Sequence, residues 1–364
     1  MKMTFRWYGS QMDPIPLRYI RQIPNMSGVV TSLMDMPAGA LWPTERIQAM
    51  KEEVNAAGLE MEVIESVNVH EDIKLGLPSR DEYIDNYRET VRRLGRAGVK
   101  VICYNFMPVF DWTRTDLAKP RPDGSTVLAY DQSVIDRITD PQAFADQIQQ
   151  GAGEFEMAGW EPERMKELKE LFTRYKSVSH EDLFAHLEYF LKAVIPVCEE
   201  YGVTMAIHPD DPPWDLFGLP RIYTCRENMR RILDLVDSPC NSLTLCSGSL
   251  GSNPANDIPA LVREFGGEGR IAFAHVRNIQ FTGPGRFEEA AHFSADGSLD
   301  LYEIMKALYD VGFQGYIRPD HGRMIWDEKG RAGYGLYDRA LGIMYMWGVW
   351  DMLDKLDAEQ KESK

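Results

Sequence analysis

The chain has 364 residues, 44% of them apolar, with 40 basic against 56 acidic side chains and a net charge of −16. That balance argues against nucleic acid as a partner, whose affinity is built largely from Lys and Arg contacts to phosphate, and an anionic small molecule would need local arginines. No apolar run approaches the ~20 residues of a membrane span, and the length suits one α/β barrel of about 250 residues plus insertions.

The N-terminal run Met1-Lys2-Met3-Thr4-Phe5-Arg6-Trp7-Tyr8 reads as a short strand and lacks the apolar core of a targeting signal. The five cysteines (Cys103, Cys198, Cys225, Cys240 and Cys246) are widely spaced and form no CxxC pair. Free thiols in a reduced, cytoplasmic compartment are the simpler expectation.

From there the chain alternates between β-rich apolar runs and longer stretches of helical periodicity, the signature of a parallel α/β fold. Strands are predicted at 4–8, 28–33, 60–65, 99–105, 203–208, 242–247, 270–276 and 315–320, with helices at 42–57, 80–97, 181–201, 227–236, 256–265 and 299–311. Gly58, Gly98, Gly202 and Gly312 stand where helices stop before the next strand, as glycine takes the left-handed conformation cheaply. Eight strands predict a closed (β/α)8 TIM barrel over residues 1–364, with a doubly wound open sheet as the structural rival. After the fourth strand, residues 106–180 form a long insertion rich in Pro, Asp and Gly, with a helical stretch near 162–175. An insertion there sits on the face where barrel active sites lie, so a cap or lid, or an interface element, is expected.

Four consecutive predicted strands finish with a metal-binding residue type. His208 follows Met205-Ala206-Ile207, Cys246 follows Leu243-Thr244-Leu245, His275 follows Ala272-Phe273-Ala274, and Asp320 follows Ile317-Arg318-Pro319. In a parallel barrel these ends converge on one mouth. Two imidazoles and a carboxylate suit Mn²⁺ or Fe²⁺, and an added thiolate favours Fe²⁺ or Zn²⁺ over all-oxygen cations. Singly, a strand-end His is more often a hydrogen-bonded core residue and a lone Cys inert packing; jointly they point to a site. Arg6, Arg277, Arg318 and Arg323 are candidates for a substrate carboxylate or for ordinary salt bridges. His321, beside Asp320, suits proton transfer or the orientation of that aspartate. Tyr334, in Gly333-Tyr334-Gly335, is a second proton-transfer candidate or a packing residue. The Asp210-Asp211 loop after His208 is read as orienting a ligand, binding hydroxyls or simply making a loop. His180, His186 and His292 lack strand-end placement and are read as structural, and His70 carries only a thin signal.

Several long strings resemble the mannonate dehydratases: Phe5-Arg6-Trp7-Tyr8-Gly9, Cys103-Tyr104-Asn105-Phe106-Met107-Pro108, Ala206-Ile207-His208-Pro209-Asp210-Asp211-Pro212-Pro213, Arg318-Pro319-Asp320-His321-Gly322-Arg323 and Gly333-Tyr334-Gly335-Leu336-Tyr337-Asp338. The resemblance covers nearly the whole chain and fits least over 131–175. It implies a xylose-isomerase-like barrel using Mn²⁺ or Fe²⁺ held by His208, Cys246, His275 and Asp320. The implied reaction removes water from D-mannonate to give 2-dehydro-3-deoxy-D-gluconate in hexuronate (glucuronate) breakdown. His321 and Tyr334 are then the expected acid/base pair, with Arg6, Asn105, Arg277, Asn278 and Arg318 binding substrate, in a cytoplasmic homo-oligomer. A metal-dependent sugar isomerase or epimerase on the same barrel, and a non-catalytic sugar-acid-binding protein, are the alternatives.

Overall fold

A computed structural model describes residues 1–138, 141–151 and 168–362. Eight strands, β1 (Lys2–Arg6), β2 (Gly28–Thr31), β3 (Glu60–Glu65), β4 (Val101–Tyr104), β7 (Thr204–Ile207), β8 (Asn241–Cys246), β9 (Ile271–Val276) and β12 (Tyr316–Pro319), close into a barrel. Every neighbouring pair is parallel, and β1 closes the ring against both β2 and β12. The rival open sheet is thereby ruled out.

The strands are near-continuous buried runs, as a sheet covered on both faces requires. Alternation divides their side chains. Val30, Val63, Val101, Cys103, Ala206, Phe273 and Tyr316 fill the barrel, while Val29, Ile64, Ile102, Met205 and Leu245 join the larger core beneath the helices. The strands are shorter than predicted at most ends, so His208 and Asp320 stand one residue past β7 and β12.

The glycine stops behave as expected: Gly58, Gly98, Gly202 and Gly312 all have positive φ. The helix His180–Tyr201 opens on a reciprocal capping box between Ser179 and Asp182 and closes on Gly202 in the left-handed region. The helix expected over 256–265 starts later, at Ile258, where Asp257 caps it through the Ala260 amide. Of the helical stretch near 162–175, Leu168–Tyr175 is helical and the remainder lies outside the described residues.

The sequence reading missed a second sheet. Strands β5 (Asp116–Pro120) and β6 (Thr126–Asp131) of the insertion pair with β10 (Asn278–Gly283) and β11 (Arg286–Ala290), which follow β9, in the order β10-β11-β6-β5. All its pairings are antiparallel. This annex sheet has its own apolar cluster, including Val109, Phe110, Leu128, Tyr130, Ile279 and Phe287. Among the described residues no helix is long and apolar enough to cross a membrane.

Candidate active site

The strand-end donors converge. One ligand atom from each of His208, Cys246, His275 and Asp320 lies within 4.8 Å of the others. The β-ladder does this directly, for Cys246 is in register with His275, which is in register with Arg318 beside Asp320.

Local contacts aim the donors. His208 Nδ1 is 2.7 Å from the Pro209 carbonyl. A carbonyl only accepts, so Nδ1 carries a proton there and Nε2 is the atom aimed into the cluster, 3.1 Å from His275 Nδ1. The His275 ring stands edge-on against Phe273, and its Nε2 faces Glu65 Oε2 at 3.4 Å. Arg277 and Arg318 grip Asp320 at 2.8 and 2.9 Å. Cys246 Sγ sits 3.5 Å from Asp320 Oδ2 and accepts from the Ser249 hydroxyl at 3.0 Å.

Electrostatics match a cation site. Burial opposes ionisation of Asp320, but His321, Arg318, His275 and Arg277 hold its carboxyl well below the usual range. Burial likewise raises the Cys246 thiol, yet Arg277 and hydrogen bonds from His208 and His275 outweigh it and bring the group down to about 5. Burial would lower His208, but Cys246, Asp320 and Glu65 raise it to about 9. The negative groups that draw a proton onto His208 suit a divalent cation equally, and one thiolate with one carboxylate balances its charge. A second trio, Glu65, Cys103 and His275, is also compact, but burial pushes the Cys103 thiol far up and Arg318 occupies Glu65 at 2.9 Å.

Beside the donors opens a small cleft. Arg6, Asn105, His208, Asp320, His321 and Tyr334 all line it. His321 Nε2 is 2.9 Å from the Tyr334 hydroxyl, and its Nδ1 is 3.2 Å from Glu289 Oε1. Trp112, from the insertion, stands edge-on to the His321 ring. Burial first, then Tyr8 and Asp320, push the Tyr334 phenol far above its ordinary value, so it stays a proton donor.

Three residues expected to bind substrate do not line the cleft. Arg277 is fully buried and engages Asp211, Glu289 and Asp320. Arg318 spends its guanidinium on Glu65 and Asp320. The Asn278 amide instead ties two loop segments, donating to Phe293 O and accepting from Leu299 N. Arg6 behaves differently: buried, it donates to the Trp7 and Val30 carbonyls and, among the described residues, has no ion-pair partner. Arg323 pairs with Asp338 and Asp123. Asp210 is a loop brace for Arg221 and the Tyr223 amide, and His180, His186 and His292 bind Asp215, Lys74 O and Val276 O.

Sequence reasoning missed Glu65, Tyr8 and Trp112 in the cleft wall, and Arg114 and Glu289 behind it; Asp211, read as part of a loop that orients a ligand, binds hydroxyls or simply turns, lines the cleft and pairs with Arg114 and Arg277. Glu65 ends β3, so the strand-end rule that found the metal donors would have found it too. Glu289 lies on the annex sheet, where that rule has no purchase.

Comparison with known proteins agrees with this arrangement. The family model described as D-mannonate dehydratase (UxuA) matches residues 1–360. The chain belongs to the D-mannonate dehydratase family. A mannonate dehydratase of Geobacillus thermodenitrificans is 59% identical over 364 residues, covering 100% of this chain and 98% of that protein. The crystal structure of mannonate dehydratase from Streptococcus suis serotype 2 superposes with a TM-score of 0.87 at 48% identity, covering 96% of this chain and 94% of that one. A 3-keto-D-glucoside 4-epimerase from E. coli, with a TM-score of 0.54 at 12% identity over 96% of this chain and 99% of that one, shares the fold alone.

Proposed function

We propose that this family member is a divalent-metal-dependent hydro-lyase that removes water from D-mannonate to give 2-dehydro-3-deoxy-D-gluconate in hexuronate breakdown. One observation carries the reading: four metal donors converge at the edge of a cleft that His208, Asp320 and the hydrogen-bonded pair His321 and Tyr334 line, in a chain 59% identical throughout to a protein named mannonate dehydratase.

The reaction needs a base for the C2 proton and an acid for the departing C3 hydroxyl. His208, Cys246, His275 and Asp320 would hold the ion, Mn²⁺ or Fe²⁺. When bound, it would polarise the substrate carboxylate or 2-hydroxyl as a Lewis acid. The phenol of Tyr334, kept protonated by burial, suits the acid, and His321 the base. The C2 proton passes to His321 Nε2, the C3–O bond breaks, and the leaving hydroxide takes the Tyr334 proton as water. The enol product becomes the 2-keto acid, and proton exchange across the 2.9 Å His321–Tyr334 contact restores both groups. Arg6, a buried cation in the cleft wall with no ion-pair partner among the described residues, suits the substrate carboxylate, while Asn105 suits its hydroxyls.

The insertion would cap the mouth, contributing Trp112 to the cleft. A cytoplasmic homo-oligomer fits the exposed apolar side chains Tyr337, Leu341, Met344, Met352 and Leu356 on one side of the last helix. The test is metal-dependent release of a 2-keto acid from D-mannonate. No product with Mn²⁺ or Fe²⁺, combined with turnover of an aldose or ketose, would favour the isomerase or epimerase alternative.

A further inference from the structure

Glu289 belongs to no barrel strand. It sits on β11, opposite Ile279 of β10 in the annex sheet, yet its side chain is completely buried behind the barrel mouth. Every polar atom around it is a donor or is able to be one. Oε1 accepts from Arg114 Nη2 at 2.9 Å and Arg277 Nη1 at 2.6 Å, and lies 3.2 Å from His321 Nδ1. Oε2 accepts from Arg277 Nη1 at 2.7 Å. Burial raises the Glu289 carboxyl, but Arg277, His321 and Arg114 bring it down to about 2, so it is ionised and only accepts.

An acceptor-only neighbour dictates the tautomer of the facing ring. His321 must then carry its proton on Nδ1, which leaves the Nε2 lone pair directed at the Tyr334 hydroxyl, 2.9 Å away. With the opposite tautomer, Nε2–H would face the phenol and no lone pair would be available on that side.

We propose that Glu289 is a positioning residue for the dehydration. It fixes His321 in the Nδ1–H tautomer, and Arg114 and Arg277 hold the carboxylate in place. The annex sheet thereby acts on the chemistry without touching substrate. This rests on the functional reading above. An arginine counter-ion alone would not serve, because Asp211 already pairs with both Arg114 and Arg277 and Asp320 with Arg277.

The test compares Glu289→Ala, which deletes the acceptor, with Glu289→Gln, which keeps an oxygen able to accept from Nδ1. The Ala variant should lose about 10²–10⁴-fold in kcat on D-mannonate, the range for a misplaced acid/base group. KM should stay within about threefold, metal content should be normal, and Gln should recover most of the lost rate. Wild-type kcat in the Ala variant, or parallel losses in kcat, KM and metal content with no Gln recovery, would overturn the role. The ¹⁵N-histidine spectrum of the Zn²⁺-loaded protein provides a readout independent of turnover and of the Ala variant's folding, with the His321 signals assigned by their loss in His321→Asn. Nδ1–H in the wild type and in Glu289→Gln supports the proposal, and Nε2–H in the wild type refutes it. Should the wild type ignore D-mannonate, the functional reading fails while the spectrum still decides the tautomer.

Discussion

The two halves of the barrel mouth differ in how their polar groups are used. On the half built by β7, β8, β9 and β12, almost every charge is spent. Asp320 is gripped by Arg277 and Arg318, and Asp211 and Glu289 share Arg114 and Arg277. On the half built by β1 to β4 the cleft wall carries the neutral hydrogen-bonding groups Ser32, Ser66, Asn68 and Asn105 beside three charged ones, Arg6, Glu65 and Asp111, of which Glu65 is held by Arg318 across the mouth. A locked ionic lattice holds the donors in one geometry, which metal binding and proton transfer need. The neutral groups suit a chain of hydroxyls, and Arg6, which has no ion-pair partner among the described residues, suits the carboxylate at its end. The mouth is thus divided into a reacting side and a reading side.

The sharpest way to break that division is at His321. Replacing His321 by Asn removes proton transfer while leaving all four metal donors in place. Turnover of D-mannonate should fall about 10²–10⁴-fold, with metal content unchanged by elemental analysis. Activity near that of the wild type would remove His321 from the mechanism.

Cys246→Ser tests the same half at the donor set. The substitution keeps size and the contact with Ser249 but loses a soft, ionised ligand. Metal affinity should drop by at least about 100-fold, since even outer partners of metal ligands typically contribute 10–100-fold. Unchanged affinity by competitive chelator titration would return Cys246 to the status of packing.

These residues were legible in sequence for one reason: parallel strands deliver their C-terminal residues to one rim, so His208, Cys246, His275 and Asp320 could be associated across more than a hundred residues of chain. The eight strands and the glycine stops were legible because apolar runs and left-handed turns are local properties. Arg277, Arg318 and Asn278 were misjudged as substrate-facing because strand-end position gives no information about partners. Asp211, Glu289 and Glu65 claim both arginines, and Glu289 comes from antiparallel pairing between segments some 150 residues apart, a non-local contact with no periodic trace. The β5–β6 hairpin itself had a local signal, the Pro-Asp-Gly turn at Pro122-Asp123-Gly124 between alternating runs.

On the reading side, Arg6 carries the prediction. Its guanidinium donates to backbone carbonyls and a thioether at 3.2–3.5 Å, with the Tyr8 ring 4.3 Å away, and its removal breaks no ion pair among the described residues. Arg6→Gln should raise KM for D-mannonate about 10- to 100-fold, matching about 1.5–3 kcal/mol for hydrogen bonds to a charged group. Metal affinity should hold, and a shift in metal affinity with KM unchanged would place Arg6 on the wrong side of the division.

The smallest effect expected separates the scaffold from both halves. Gly202 ends the helix His180–Tyr201 at φ 63°, ψ 40°, two residues before the strand that carries His208. A Cβ built there meets nothing within 4 Å, so the penalty for Gly202→Ala is purely that of holding alanine in the left-handed region. That costs about 1 kcal/mol, or a melting shift of about 2 °C or less in a chain of this length. The donors at the other end of β7 are fixed by the Tyr104 and Pro209 carbonyls and by ion pairs, not by the helix stop. Metal affinity, KM and kcat should therefore match the wild type at temperatures below the transition. A loss of metal affinity in this variant would mean that strain at the foot of the strand reaches its catalytic end, and that the lattice around Asp320 is softer than its contacts indicate.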